Sequence, residues 1–236
     1  MAPKVICHIM GSVDGRLLPD RWTLPPDGTP QSALFSEYAA LGKSLGADAW
    51  MFGKATACEA FPDKFIPGSA DRVPAGKVHA WRRDSERLFI TVDPDADILY
   101  SDSRLRGDNI LTVLGTNATA DYLAMLEDKG ISYIVLADPT DLREALEKIH
   151  EHFGIHTVVL QGGGIINGAM LAAGLIDELS LVVYPGIDGL ASSPSVFEYL
   201  GAPDESPAAR QSLQLLAAEV RCYGIVWLRY RFHHNA

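Results

Sequence analysis

The chain has 236 residues, 47% of them hydrophobic and 21% charged, with a formal charge of −10 at pH 7. That balance suits a globular chain with a sizeable core, and its acidity excludes a nucleic-acid partner unless a basic patch overrides the field. No apolar run is long enough to span a bilayer and the first residues lack a signal-peptide layout, so no membrane partner is expected.

The densest basic stretch, Trp81-Arg82-Arg83, is interrupted by Asp84 and Glu86 and reads as a solvated loop. Cys7, Cys58 and Cys222 are isolated, outside any paired spacing. This argues against a disulfide framework and a zinc site, and points to the reducing cytoplasm. No linker-like composition divides the chain, so a single domain over residues 1–236 is expected.

In chain order, Val5–Met10 reads as a buried strand stopped by Gly11. Between residues 11 and 30, Pro19, Pro25, Pro26 and Pro30 with Asp14-Gly15 and Asp27-Gly28 forbid regular structure, and a loop of that length is a candidate lid. Leu34, Tyr38, Leu41 and Leu45 form one stripe of a helix, and Ala49–Phe52 begins a second strand. From Arg87 the pattern alternates: strand 88–92, strand 110–114, helix 118–129, strand 133–137, helix 142–153, strand 157–161, helix 165–173. This implies a largely parallel sheet with flanking helices. In helix 142–153, Asp141 and Glu144 are placed as an N-cap and its N3 partner. Stretches 179–184, 212–218 and 225–232, joined by loops, read as antiparallel strands.

Strand 157–161 runs through Gly162-Gly163-Gly164 into a helical pattern. Backbone N–H groups at such a junction, with the positive end of the helix dipole behind them, form an anion cradle in outline. One glycine needs no more than a tight turn; three exceed it. The dinucleotide fingerprint fails because Asn167 stands where its third glycine belongs, and Gly53-Lys54-Ala55-Thr56 fails as a P-loop at Asp48 and Ala55. What remains is four loops leaving strand ends: 11–15, 53–56, 162–164 and 185–189. Ligands bind at the carboxyl ends of strands in open α/β sheets, so the four loops together suggest an extended ligand.

Ser12-Val13-Asp14-Gly15-Arg16, Asp48-Ala-Trp-Met-Phe-Gly53 with Thr56, Gln161-Gly-Gly-Gly164, and Leu175-Ile-Asp-Glu-Leu179 leading to Pro185 and Gly189 occur in one order across the chain. In this the chain resembles the reductase domain of the bacterial riboflavin-biosynthesis deaminase/reductase, within the dihydrofolate-reductase-like superfamily. The resemblance implies a three-layer αβα domain with a mixed sheet, NADPH as hydride donor and a homodimer. It implies that Gly162, Gly163, Gly164, Ile165 and Ile166 hold the cofactor pyrophosphate through backbone N–H groups, and that Gly53 and Thr56 lie along the cofactor. It places Asp14 near the nicotinamide and substrate, to orient a substrate amide or pass a proton through water. The implied reaction is reduction of the ribosyl group of a phosphoribosylamino-pyrimidine. The alternatives are a dihydrofolate-like or other small-molecule reductase, and a nucleotide-binding module without turnover.

The departures concern the substrate. Gln161 replaces the family's Glu, Ser44 replaces an Arg, and no arginine follows Thr56 at the expected place to grip a sugar phosphate, which leaves Lys64 and Arg72 as candidates. The zinc-bearing deaminase half is absent from this sequence. His150 and His152 point to different faces of one helix and His233-His234 lie near the C-terminus, so no metal site is expected. His8, Tyr184 and Trp227 read as structural. Trp22 either stacks on a planar ligand or pins its loop.

Overall fold

The computed structural model describes residues 2–234. In chain order the elements are β1 (Lys4–Ser12), α1 (Gln31–Lys43), β2 (Ala49–Gly53), α2 (Lys54–Ala60), β3 (Val78–His79), β4 (Leu88–Asp93), β5 (Arg104–Leu105), β6 (Asp108–Leu114), α3 (Ala120–Asp128), β7 (Ser132–Val135), α4 (Leu142–Phe153), β8 (Thr157–Leu160), α5 (Gly164–Ala172), β9 (Glu178–Tyr184), β10 (Gln211–Val220) and β11 (Val226–His234). The contacts group into two compact units, divided within β8 between Val158 and Val159. Among the described residues, the first comprises 2–3 and 47–158, the second 4–46 and 159–234.

In the first unit β2, β4, β6 and β7 pair in that order, all parallel, while β3 adds antiparallel to β7 and β5 to β6. Every residue of β4, β6 and β7 is buried, as strands flanked by helices require. Phe52, Phe89, Tyr100, Tyr122 and Tyr133 lead its core. Asp48, just before β2, accepts the N–H groups of His156 and Thr157 at 2.9 and 2.8 Å, and its carboxylate thereby fixes the entry to β8.

In the second unit β1 pairs parallel with β9, β9 antiparallel with β11, and β11 antiparallel with β10. The reading of 179–184, 212–218 and 225–232 as antiparallel strands holds among β9, β11 and β10, and β9 also pairs parallel with β1. The core gathers Met10, Trp22, Leu34, Leu41, Val182, Tyr184, Ile225 and Trp227. Tyr184 and Trp227 are core residues as expected, and Trp22 pins its loop, buried with its ring 4.7 Å from that of Tyr184. His8 is structural. Its Nδ1 meets Ser180 Oγ at 2.9 Å, its ring stacks on Tyr38, and burial pushes its pKa down to about 4.

Helix α2 and the two-residue strands β3 and β5 went unread in the sequence because α2 is a single seven-residue run with only Ala57 buried. Helix α4 matches its expected bounds. The Asp141 carboxylate accepts the Glu144 N–H at 2.9 Å, and Gly154 closes the helix at φ +66°. Replacing Asp141 with Ala is expected to cost about 1 kcal/mol. In urea this reads as a lowered unfolding midpoint with unchanged slope.

Candidate functional site

The parallel register of β1 with β9 ends at Ser12 opposite Tyr184, so the loops that follow them in the second unit leave side by side. Val13 N–H donates to Gly186 O at 2.8 Å. Asp14 accepts from Ser12 Oγ at 2.6 Å, from Gly189 N at 2.8 Å and from Asp188 N at 3.1 Å. Asp188 in turn accepts from Arg21 Nε at 3.0 Å and Ser193 Oγ at 2.7 Å. Arg16 Nη1 donates to Ser193 O at 2.8 Å, and Leu17 N to Pro194 O at 2.9 Å. The two loops and segment 193–196 thus form one hydrogen-bonded block.

The Ser12 hydroxyl and the Gly189 and Asp188 N–H groups hold the Asp14 pKa down, to about 2. The structure places Asp14 in the loop cluster, ionised and tied to the backbone of residues 188 and 189, with its carboxylate still partly exposed.

Helix α5 starts at Gly163, its N-cap, with no side chain capping it. Gly162 has φ +86°, the Gly162–Gly163 peptide is cis, and Ile165 is half exposed on the first turn. The argument from three glycines is revised, because two of them have packing reasons. Gly162 supplies the positive φ of the turn. At Gly164 a Cβ would stand 2.3 Å from Ser195 O, and at Gly168 2.1 Å from Glu198 O, since segment 195–199 lies directly on the helix. Glu198 N donates to Gly164 O at 2.9 Å, and Asn167 Nδ2 to Val196 O at 2.9 Å. Asn167 Oδ1 is buried without a hydrogen-bond partner. The first-turn backbone, uncapped and lacking side chains at residues 162–164, retains the chemistry of an anion cradle.

In the first unit Gly53 is the N-cap of α2, and Thr56 lines a cleft of about 250 Å³ with Phe52, Glu59 and Phe89. Lys54, whose motif fails as a P-loop, is ringed by carboxylates. Its Nζ lies 3.3 Å from Asp93, 2.5 Å from Asp95 and 2.5 Å from Asp97. Burial works against its charge, but these carboxylates outweigh it and raise the Lys54 pKa. Asp93, Asp95 and Asp97 have the spacing of a metal group, and the ammonium sits among them. Lys64 is bound to Asp97 at 2.9 Å, which spends one candidate grip for a sugar phosphate. Arg72 bonds Asn117 and lines a cleft of about 760 Å³ with Ser69, Asp95, Asp97 and Thr119. Ser44, where the family has Arg, ends α1 with its Oγ on Leu41 O. No helix among the described residues is long and apolar enough to cross a membrane.

In each unit, loops leave the carboxyl ends of parallel strands, which defines the class: a mixed α/β fold with backbone donors and short polar side chains at its strand ends. The chain belongs to the RibD C-terminal domain family, which it matches over residues 3–226. It is 29% identical over 113 residues to the 2,5-diamino-6-ribosylamino-4(3H)-pyrimidinone 5′-phosphate reductase of Methanothermobacter thermautotrophicus, a match covering 47% of this chain and 52% of the relative. The match thus spans about half the length of that relative.

Among solved structures, the chain is similar to a pyrimidine reductase-like protein from Corynebacterium diphtheriae (18% identity, TM-score 0.68, covering 99% of this chain and 93% of that one). It is also similar to the riboflavin biosynthesis reductase of Saccharomyces cerevisiae (17%, TM-score 0.61, 98% and 90%) and to Acinetobacter baumannii RibD (18%, TM-score 0.59, 98% and 58%). At these identities the likeness shows the fold, which is the dihydrofolate-reductase-like one.

A carboxylate whose folded pKa is depressed adds stability above its unfolded value of about 3.9 and loses that contribution as pH falls through its folded value. For Asp14 the window runs from about pH 4 down to about 2. Asp14→Asn is therefore expected to unfold at a lower urea concentration than the parent at pH 7, with the gap narrowing as pH falls through that window.

Proposed function

We propose that this chain is an NADPH-dependent reductase of riboflavin biosynthesis, acting on the ribosyl group of a phosphoribosylamino-pyrimidine. The observation that carries the reading is the start of α5. There an uncapped helix terminus with no side chain at Gly162, Gly163 and Gly164 stands in the loop that the family resemblance assigns to the pyrophosphate. The reading treats residues 1–236 as one reductase domain, located in the cytoplasm and working as a homodimer.

The bound nicotinamide supplies a hydride. In this reading Gly164, Ile165 and Ile166 donate backbone N–H groups to the pyrophosphate, with the helix dipole adding to the attraction. Gly53 and Thr56 contribute to holding the cofactor, the threonine through its hydroxyl. Asp14 acts by position. It keeps the loop at 185–189 closed on the end of β1, so that this wall of the second unit is formed before ligand arrives. The reduction takes up a proton as well as the hydride; in this reading solvent supplies the proton, and alignment of the nicotinamide with the acceptor is the protein's share.

Gly163→Asp is the direct test. Asp is a favoured N-cap, so the helix is kept while a carboxylate takes the first-turn donors. NADPH affinity by calorimetry is expected to fall at least tenfold, and unchanged affinity would refute the cradle. Oxidation of NADPH and NADH is followed in parallel with pyrimidine, pterin and carbonyl substrates. Tight binding without oxidation of either would instead identify a nucleotide-binding module. In the same assays Asp14→Asn is expected to lower turnover more than NADPH affinity.

A further inference from the structure

In a chain of net charge −10 a half-buried cation ordinarily meets a carboxylate, and the second unit follows that rule with one exception. Lys4 and Arg229 are bound to Glu178, Arg21 to Asp188 and Arg221 to Glu37. Lys43, Arg210 and Arg231 stand in solvent. Arg16 is half-buried, yet among the described residues it makes no ion pair. Its Nη1 donates to Ser193 O at 2.8 Å, and its Nε is buried without a hydrogen-bond partner. Buried donors are nearly always bonded, so this guanidinium is short of an acceptor.

The carboxylates of the same loop block are engaged elsewhere. Asp14 is held by Ser12 Oγ and the N–H groups of Asp188 and Gly189, and Asp188 by Arg21 and Ser193 Oγ. Glu198 accepts the Ser195 N–H at 3.2 Å. The root of the Arg16 side chain is fixed before any ligand arrives. Arg16 N–H donates to Ser12 Oγ at 2.9 Å, its carbonyl accepts the Ser12 N–H at 3.0 Å, and the residue bridges antiparallel to Ser195. Ser195 O is also the atom packed against Gly164 at the start of α5. Arg16 and the α5 terminus therefore flank one short segment, 193–196, the first as a full positive charge and the second as the positive end of a helix dipole.

We propose that Arg16 is a binding residue whose guanidinium meets a phosphoryl oxygen of the ligand in the second unit. A planar guanidinium offers several donors in a fixed fork, which suits phosphoryl oxygens better than a single ammonium does. The inference rests on the reductase reading, in which both the cofactor and a phosphoribosyl substrate carry phosphoryl groups. It also supplies a guanidinium where Ser44 and the segment after Thr56 lack the arginines of the family. A residue that only pinned segment 193–196 through Ser193 O would need one donor and no charge, and glutamine would serve equally.

Inorganic pyrophosphate is the first probe, because its binding depends neither on turnover nor on the identity of the hydride acceptor. By calorimetry it is expected to bind the parent and to bind Arg16→Gln at least tenfold more weakly. Arg16→Lys keeps the charge without the fork; it is expected to lose affinity by a smaller factor, and it carries the test should the glutamine variant fail to fold. The variant is then titrated with NADPH, with a ribosylamino-pyrimidine 5′-phosphate and with the dephosphorylated nucleoside. A rise in Kd confined to NADPH identifies the cofactor as the source of the phosphoryl group, and one confined to the 5′-phosphate identifies the substrate. Pyrophosphate binding that is absent from the parent, or equal in parent and variants, overturns the proposal. So does a nucleoside affinity that falls as far as that of the 5′-phosphate, which marks a collapsed wall rather than a lost contact. Failure of the reductase reading shows separately, as NADPH bound without oxidation, and leaves the pyrophosphate titration readable.

Discussion

The parallel pairing of β1 with β9 governs the second unit, because it ends both strands level and sends the chain out twice at the same place. Backbone emerging there carries donors that no strand can satisfy, and Asp14 takes two of them. Once that carboxylate is fixed, Asp188 is oriented to receive Arg21 and Ser193, and segment 193–196 is drawn onto the block. A buried-strand register thereby becomes a preformed wall of polar contacts, and the cost of ordering these loops falls on folding rather than on binding.

The same segment explains the glycines. Because residues 195–199 lie across α5, the helix must be bare at positions 164 and 168, and any ligand meets a terminus already buttressed from one side. Close packing and anion binding make the same demand on sequence, namely no side chain, so counting glycines could not separate them. Lys54 shows the opposite case. It has the look of a phosphate-gripping lysine, yet its charge is committed to three aspartates from the end of β4 and the following turn.

What the sequence made legible was whatever depends on neighbours along the chain. Helix α4 could be read from Asp141, Glu144 and its apolar stripe. The strand–glycine–helix junction at 157–172 was visible because its signals are contiguous. What escaped were contacts between residues far apart: Asp48 on His156 and Thr157, Asp14 on the loop after β9, and the aspartate ring around Lys54. The family motifs containing Asp48 and Asp14 were recognisable as patterns, but their physical reason is a hydrogen bond across more than a hundred residues.

The long segment between β1 and α1 reads as a lid, and its anchors say how much of it could serve as one. Trp22 is buried against Tyr184, Arg21 is held by Asp188, and Thr23 N–H donates to Ile187 O at 3.1 Å. Pro25 is buried as well, so residues 26–29 lie beyond these anchors, folded back through Gly28 N to Pro25 O and Thr29 N to Asp27 Oδ1. Four residues have a contour of about 14 Å, so a flap hinged at both ends reaches about 7 Å. That is enough to shield one ring of a ligand and too little to cover a dinucleotide.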